Sequence, residues 1–141
     1  IACDYVANAC NGGNIEQALQ WVAEGNALCT EMEWPYTSGK GAQGECTPNI
    51  CTPVVSIDGF KGPLRSESEL IAALRDQPVA AAIAGSSHVF QFYQSGILDD
   101  PACGTVVDHA VLLVGFGTDT SVASTDYFKL KNSWGTHWGE A

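Results

Sequence analysis

The chain alternates between short apolar segments and long polar, glycine- and proline-marked stretches, and the period of each apolar segment predicts its structure. Asn14 to Glu24 (N-I-E-Q-A-L-Q-W-V-A-E) places Ile15, Leu19 and Val22 on one face at helical spacing, with Ala18 beside them. Asn14 is placed to cap that helix and Gly25 to end it. Ser66 to Asp76 (S-E-S-E-L-I-A-A-L-R-D) predicts a second helix with Leu70, Ile71 and Leu74 on its buried face. Ser66 with Glu69 forms a capping-box pattern, and Pro78 forbids continuation. Val79 to Ala84 predicts a buried strand of small side chains, and Ser87 to Tyr93 a short helical turn. Ala110 to Gly115 and Tyr127 to Lys131 predict two more strands joined by a polar loop, G-T-D-T-S-V-A-S-T-D. Residues 26 to 63 are loop-rich, with three cysteines and four prolines, and a loop region of that length needs staples or a function.

Composition narrows the class. A chain of 141 residues that is 45% hydrophobic can bury a core. No stretch approaches the ~18 apolar residues of a membrane span. Six Lys and Arg against sixteen Asp and Glu give a formal charge of −10 and no basic patch, which argues against nucleic acid as a partner. The carboxylate excess repels itself at neutral pH and is relieved as acids protonate, which suits an acidic compartment. Six cysteines without a C-x-x-C favour disulfides in a lysosomal, vacuolar or extracellular protein over zinc or redox chemistry. No metal site and no cofactor is expected. The start, I-A-C-D, has neither an initiator Met nor a basic leader and suggests the interior of a longer protein.

Two apolar runs each carry one polar residue of catalytic type. One segment, V-V-D-H-A-V-L-L-V-G-F-G, centres on His109, and the other, Y-F-K-L-K-N-S-W-G-T-H-W-G, on Asn132. Asp108 cannot orient its neighbour His109, because adjacent strand side chains point to opposite faces. Asn132 is the better candidate, since its amide oxygen can accept from one imidazole nitrogen and leave the other for a nucleophile. A single His in an apolar strand is more often structural, and it is the pair of segments that shifts the balance. His88 and His137 suit surface or peripheral roles. No G-x-S-x-G occurs, which disfavours a serine hydrolase.

C-G-T-V-V-D-H-A-V (103 to 111) and K-N-S-W-G-T-H-W-G (131 to 139) resemble the histidine and asparagine motifs of papain-like cysteine peptidases. C-D-Y-V-A-N-A-C-N-G-G (3 to 13), Trp34-Pro35-Tyr36, Gln77-Pro78-Val79 and F-Q-F-Y-Q-S-G-I (90 to 97) also resemble family segments, in order along the chain. The resemblance implies an α+β, papain-like two-domain fold truncated at both ends. Residues 1–62 would be the end of a helical left domain with disulfide-rich loops, and residues 63–141 a β-rich, barrel-like right domain.

It further implies peptide-bond hydrolysis through a thiolate–imidazolium pair, with His109 as acid/base, Asn132 as its orienter and Trp134 covering their hydrogen bond. Gly12 and Gly13 would offer backbone groups to an extended substrate. Asn14, Ile15, Ala82, Val107, Asp108 and Ala110 match the main specificity pocket and its surroundings. That pocket would be roomy and apolar, accepting Leu, Val or Phe, without an acidic group to select Arg. By resemblance Cys3 pairs with Cys46, and Cys10 and Cys103 have partners outside this chain; Cys29 and Cys51 are additional to that set and are candidates to pair with each other. Expected partners are peptide or protein substrates and cystatin-like or propeptide inhibitors, with the protein a monomer.

None of the six cysteines is followed by Trp or Tyr as the family's nucleophile is, so the chain is expected to be an internal piece of a peptidase of about 200 residues, inert by itself. Such a piece is expected to leave the Ile15, Leu19 and Val22 face exposed. The alternative is a non-proteolytic relative whose nucleophile is replaced, resembling silica-forming structural or binding members of the family.

Overall fold

The computed structural model describes residues 4, 7–26, 28–47, 51–121 and 123–140, and they fall into two compact units, Ile1–Pro63 and Leu64–Ala141.

In the first unit a single 3-10 turn, Ala9–Asn11, precedes helix α1, Ile15–Ala23. The Asn14 side chain accepts from the backbone N–H groups of Glu16 and Gln17, at 2.8 and 3.1 Å, which satisfies two donors the first turn leaves unpaired. Glu16 sits in that turn, where a carboxylate complements the helix dipole. Gly25 adopts φ +98°, a left-handed conformation that suits glycine and stops the helix. The apolar face is better covered than expected: Val22 is buried, and Ile15 and Leu19 are half-buried.

The loop region beyond is held locally. Leu28 bridges to Val55 through N–H···O bonds of 2.8 Å to Val55 and from Val54. A disulfide joins Cys29 to Cys51, with Cα atoms 6.1 Å apart. Cys46 is also disulfide-bonded, and its expected partner Cys3 lies outside the described residues.

The second unit is α+β. Helix α2, Glu67–Leu74, packs against strands β1, Val79–Ile83, and β2, His109–Asp119. Ser66 Oγ accepts from Glu69 N–H at 3.2 Å, as a capping box requires, but Glu69 reaches past the cap to the N–H of Arg65 at 2.8 Å. A short helix α3, His88–Gln91, and a 3-10 turn, Pro101–Cys103, lie between β1 and β2, and strand β3, Thr125–Lys131, completes the sheet. The order is β1-β2-β3, antiparallel throughout. Val111, Leu113 and Phe90 form the buried core of this unit.

Two strand expectations change. β1 alternates half-buried and exposed residues instead of being buried, because Ala80 and Ala82 pair with Leu112 and Ala110 on an open face. The β2–β3 hairpin also runs longer than the apolar runs suggest. Gly117 pairs with Tyr127 and Thr118 with Asp126, so the connecting loop shrinks to residues 120–124. The Thr118 hydroxyl donates to Asp126 at 2.6 Å, and the Tyr127 ring covers Gly117 so closely that an added Cβ would lie 2.8 Å from its hydroxyl. Cross-strand pairs of this kind extend a ladder through residues whose composition suggests loop.

Candidate active site

The β2–β3 register builds the site. Leu112 faces Lys131, and Leu113 faces Leu130. The paired part of β3 ends at Lys131, so Asn132 follows directly at the end of the hairpin where β2 begins with His109.

The contacts agree. His109 Nε2 lies 2.8 Å from Asn132 Oδ1. The same Oδ1 accepts from Ser133 N–H at 2.8 Å, which fixes the amide with oxygen, not nitrogen, toward both groups. An amide oxygen only accepts, so Nε2 carries the proton and Nδ1 is left as the ring's other nitrogen. The cost falls on Asn132 Nδ2, which is buried and has no hydrogen-bond partner.

Trp134 stacks on His109, with ring centroids 4.8 Å apart and an interplanar angle of 26°. Its other contacts are edge-on, to Phe90 and Trp138, each at 5.5 Å. Trp138 Nε1 donates to the carbonyl of Phe90 at 2.9 Å and so ties the cluster to α3.

Asp108 acts on the turn beyond β1, not on the ring beside it. Its Oδ1 accepts from the N–H groups of Gly85 and Ser86, at 2.8 and 3.2 Å, and its own N–H donates to Ile83 at 3.0 Å. The Ser86 hydroxyl first, then those two backbone donors and the nearby His109 ring, hold its carboxyl below the usual carboxylate range. Gly85 is buried against the site: a Cβ there would lie 2.5 Å from the Cβ of His109 and 2.9 Å from its Cγ. Neither Gly85 nor Ser86 is legible as a site residue in the sequence, because Asp108 reaches them across 23 and 22 residues.

The remaining candidates divide between the units. Ala82 and Ala110 are direct cross-strand partners, both exposed, and Val107 is exposed nearby in sequence. In the first unit Gly12 has φ +96°, and a Cβ on Gly13 would lie 3.2 Å from that of Ala7. Asn14 is engaged as the α1 cap, and Ile15 is half-buried. Cys10 and Cys103 are free thiols. His88 is exposed and stacks on Phe92 at 5.1 Å, and His137 is exposed. Among the described residues no cluster of His, Cys, Asp and Glu is arranged to hold a metal ion.

Residues 1–141 match the model of the papain family of cysteine proteases. The chain belongs to that family. Papain-family relatives include the germination-specific cysteine protease 1 of Arabidopsis thaliana, 41% identical over 99% of this chain and 36% of that protein. Vignain of Ricinus communis is 38% identical over 99% of this chain and 38% of its own length. The chain thus spans well under half of these relatives. Among solved papain-family structures, the cysteine protease CMS1MS2 of Carica candamarcensis, in complex with E-64, superposes with a TM-score of 0.83 at 37% identity, covering 98% of this chain and 60% of that one. The proform of the ragweed pollen cysteine protease Amb a 11 gives a TM-score of 0.87 at 34% identity, over 98% and 40%.

Proposed function

We propose that this chain contributes the acid/base half of a cysteine peptidase site, with His109 as proton carrier, Asn132 as its orienter and Trp134 as its cover. The observation that carries the proposal is the single Asn132 oxygen shared between His109 Nε2 and Ser133 N–H. That sharing commits Nε2 and leaves Nδ1 to take the proton of a thiol. The thiolate attacks the peptide carbonyl, the imidazolium returns its proton to the leaving amine, and water then releases the acyl group from sulfur. The thiol belongs to a part of the protein that this chain, at 36% of its Arabidopsis relative, does not span.

The substrates are peptides and proteins, and inhibitors of the E-64 or propeptide type, seen with related proteases, would compete at the same site. Ala82, Ala110 and Val107 supply exposed, apolar side chains without a carboxylate, which favours Leu, Val or Phe over Arg at the main subsite. Disulfide bonding at Cys29–Cys51 and Cys46 suits a vacuolar, lysosomal or extracellular location. Among the described residues no helix is long and apolar enough to cross a membrane.

Labelling of the full-length protein with a thiol-reactive peptidyl epoxide tests the proposal. Labelling should fall steeply in His109→Ala. Labelling that is undiminished, or absent from the unaltered protein, would reject the peptidase and leave a non-proteolytic relative. A strong Arg preference in a peptide library would reject the subsite alone.

A further inference from the structure

Beyond β3 the chain runs on to Glu140 outside any strand, and it is fastened at both ends. At the near end Asn132 meets His109. At the far end three successive residues bond to the stretch between Phe90 and Gly96. Trp138 Nε1 donates to the carbonyl of Phe90 at 2.9 Å, Gly139 N–H donates to the carbonyl of Tyr93 at 3.2 Å, and Glu140 Oε1 accepts from Gly96 N–H at 2.8 Å. The Tyr93 hydroxyl closes this clasp by donating to the Gly96 carbonyl at 2.7 Å. Burial first, and then the Glu140 charge, raise the Tyr93 hydroxyl above its usual range, so it stays protonated as that donor.

A continuous set of contacts leads from the clasp to the candidate site. The Trp138 ring packs on Phe90 at 4.9 Å, on Tyr93 at 5.4 Å and edge-on against Trp134 at 5.5 Å. Trp134 in turn stacks on His109 at 4.8 Å. Every member of the set lies in the second unit. We propose that Glu140 is a positioning residue for the peptidase reaction: its bond to Gly96 fixes the seat of Trp138, and through it the Trp134 cover on the His109–Asn132 pair. A carboxylate suits this role because a charged acceptor holds a backbone N–H more firmly than a neutral one. Its partner lies 44 residues away in sequence, so the bond fastens together two segments that the hairpin does not join. The inference rests on the acid/base reading of His109, and adds to it a residue that acts on the pair only through the two indoles.

The test compares Glu140→Ala with Glu140→Gln in the full-length protein, labelled by a thiol-reactive peptidyl epoxide. In Glu140→Ala the limiting labelling rate should fall about fivefold, while the epoxide concentration at half-maximal rate stays unchanged. Glu140→Gln keeps an oxygen that can accept from Gly96 N–H and should restore most of the rate. Adding Glu140→Ala to Trp134→Ala should lower the rate no further, because both act through one ring. Glu140 is exposed, so its variants keep the core of the unit, Val111, Leu113 and Phe90. NMR reads the seat without the chemistry. The His109 ring protons, shifted by the stacked indole, should move toward their unstacked positions in Glu140→Ala and stay in place in Glu140→Gln. An unchanged labelling rate in Glu140→Ala would overturn the proposal, as would losses that add in the double variant. Equal falls in Glu140→Ala and Glu140→Gln would assign the effect to charge alone and overturn the bond. Absence of labelling in the unaltered protein would reject the peptidase reading instead, and the His109 signals would then decide whether Glu140 seats the ring.

Discussion

Replacing Asn132 by Ala should disturb His109 strongly without a large loss of stability. The side chain makes two hydrogen bonds through one oxygen, to His109 Nε2 and to Ser133 N–H, both at 2.8 Å. Both donors are partly open to solvent, so water replaces the lost acceptor at low cost. Bonds of this kind contribute about 0.5–1.5 kcal/mol each, and the lower half applies here, giving a loss of about 1–2 kcal/mol. The same substitution removes Nδ2, a buried donor without a partner. An orphan of that kind costs about 1–3 kcal/mol in the folded state. The terms oppose each other, and the expected net change runs from a loss of about 1 kcal/mol to a gain of about 2 kcal/mol. Urea unfolding of the chain measures it as a midpoint shift at constant slope. In the same variant, long-range 1H–15N spectra at alkaline pH should show His109 losing its single Nε2-protonated tautomer for a mixture. A loss above about 3 kcal/mol would refute the reasoning, because it would mean that Nδ2 has a partner and the amide is a structural support. An unchanged tautomer would refute the orienting role.

Trp134→Ala should cost about 2 kcal/mol, since three aromatic contacts are lost from a partly exposed ring, and should speed hydrogen exchange at His109 Nε2. Gly85→Val should shift the His109 and Trp134 resonances together, because even the first carbon of the new side chain falls 2.5 Å from the His109 Cβ; in a full-length peptidase a displacement of about 1 Å is worth ~100-fold in rate. Opening the Cys29–Cys51 bridge, which spans 22 residues, by a double Ser substitution should lower stability by about 3 kcal/mol in denaturant melts. The lowered Asp108 and Asp119 carboxyls add stability that is fully present above the ordinary carboxylate range, about 3.9 for Asp, and is lost as pH falls through their lower folded values. Asp108→Asn should therefore flatten the acid limb of a thermal-stability profile and leave the neutral region's slope unchanged. A profile that keeps its slope would place the acid sensitivity elsewhere.

What was legible depended on how local its cause is. The two longer helices are announced by their own ends: Asn14 and Gly25 bound α1, and Ser66 with Glu69 opens α2. His109 and Asn132 are announced by the contrast between a polar residue and its apolar run. The hairpin's length was not, because Gly117 and Thr118 resemble loop until Tyr127 and Asp126 face them. The partners of Asp108 were hidden for the same reason. Gly85 and Ser86 lie 23 and 22 residues upstream, and nothing within that span marks them. Sequence pattern exposes what a segment does to itself; what it receives from a partner strand becomes visible only with register.

Register also explains how so small a unit can hold a histidine in place. His109 and Asn132 are 23 residues apart but sit at the same end of one hairpin. A slip of one residue would move one of them to the opposite face of the sheet and break the pair outright. The bulge between Leu113 and Gly115 pins the alignment, since its extra residue, Val114, changes which face each later residue occupies. Before it, Leu113 and Leu130 share the buried face; after it, Phe116 meets Phe128 and Gly117 lies under Tyr127. Deleting Val114 would force a choice between two halves of the hairpin. Either the Gly117–Tyr127 end keeps its pairs and His109 turns away from Asn132, or the site end is kept and Tyr127 loses its glycine. The aromatic pairs at the far end therefore act on the site without touching it: they fix the strand alignment on which a 2.8 Å hydrogen bond depends.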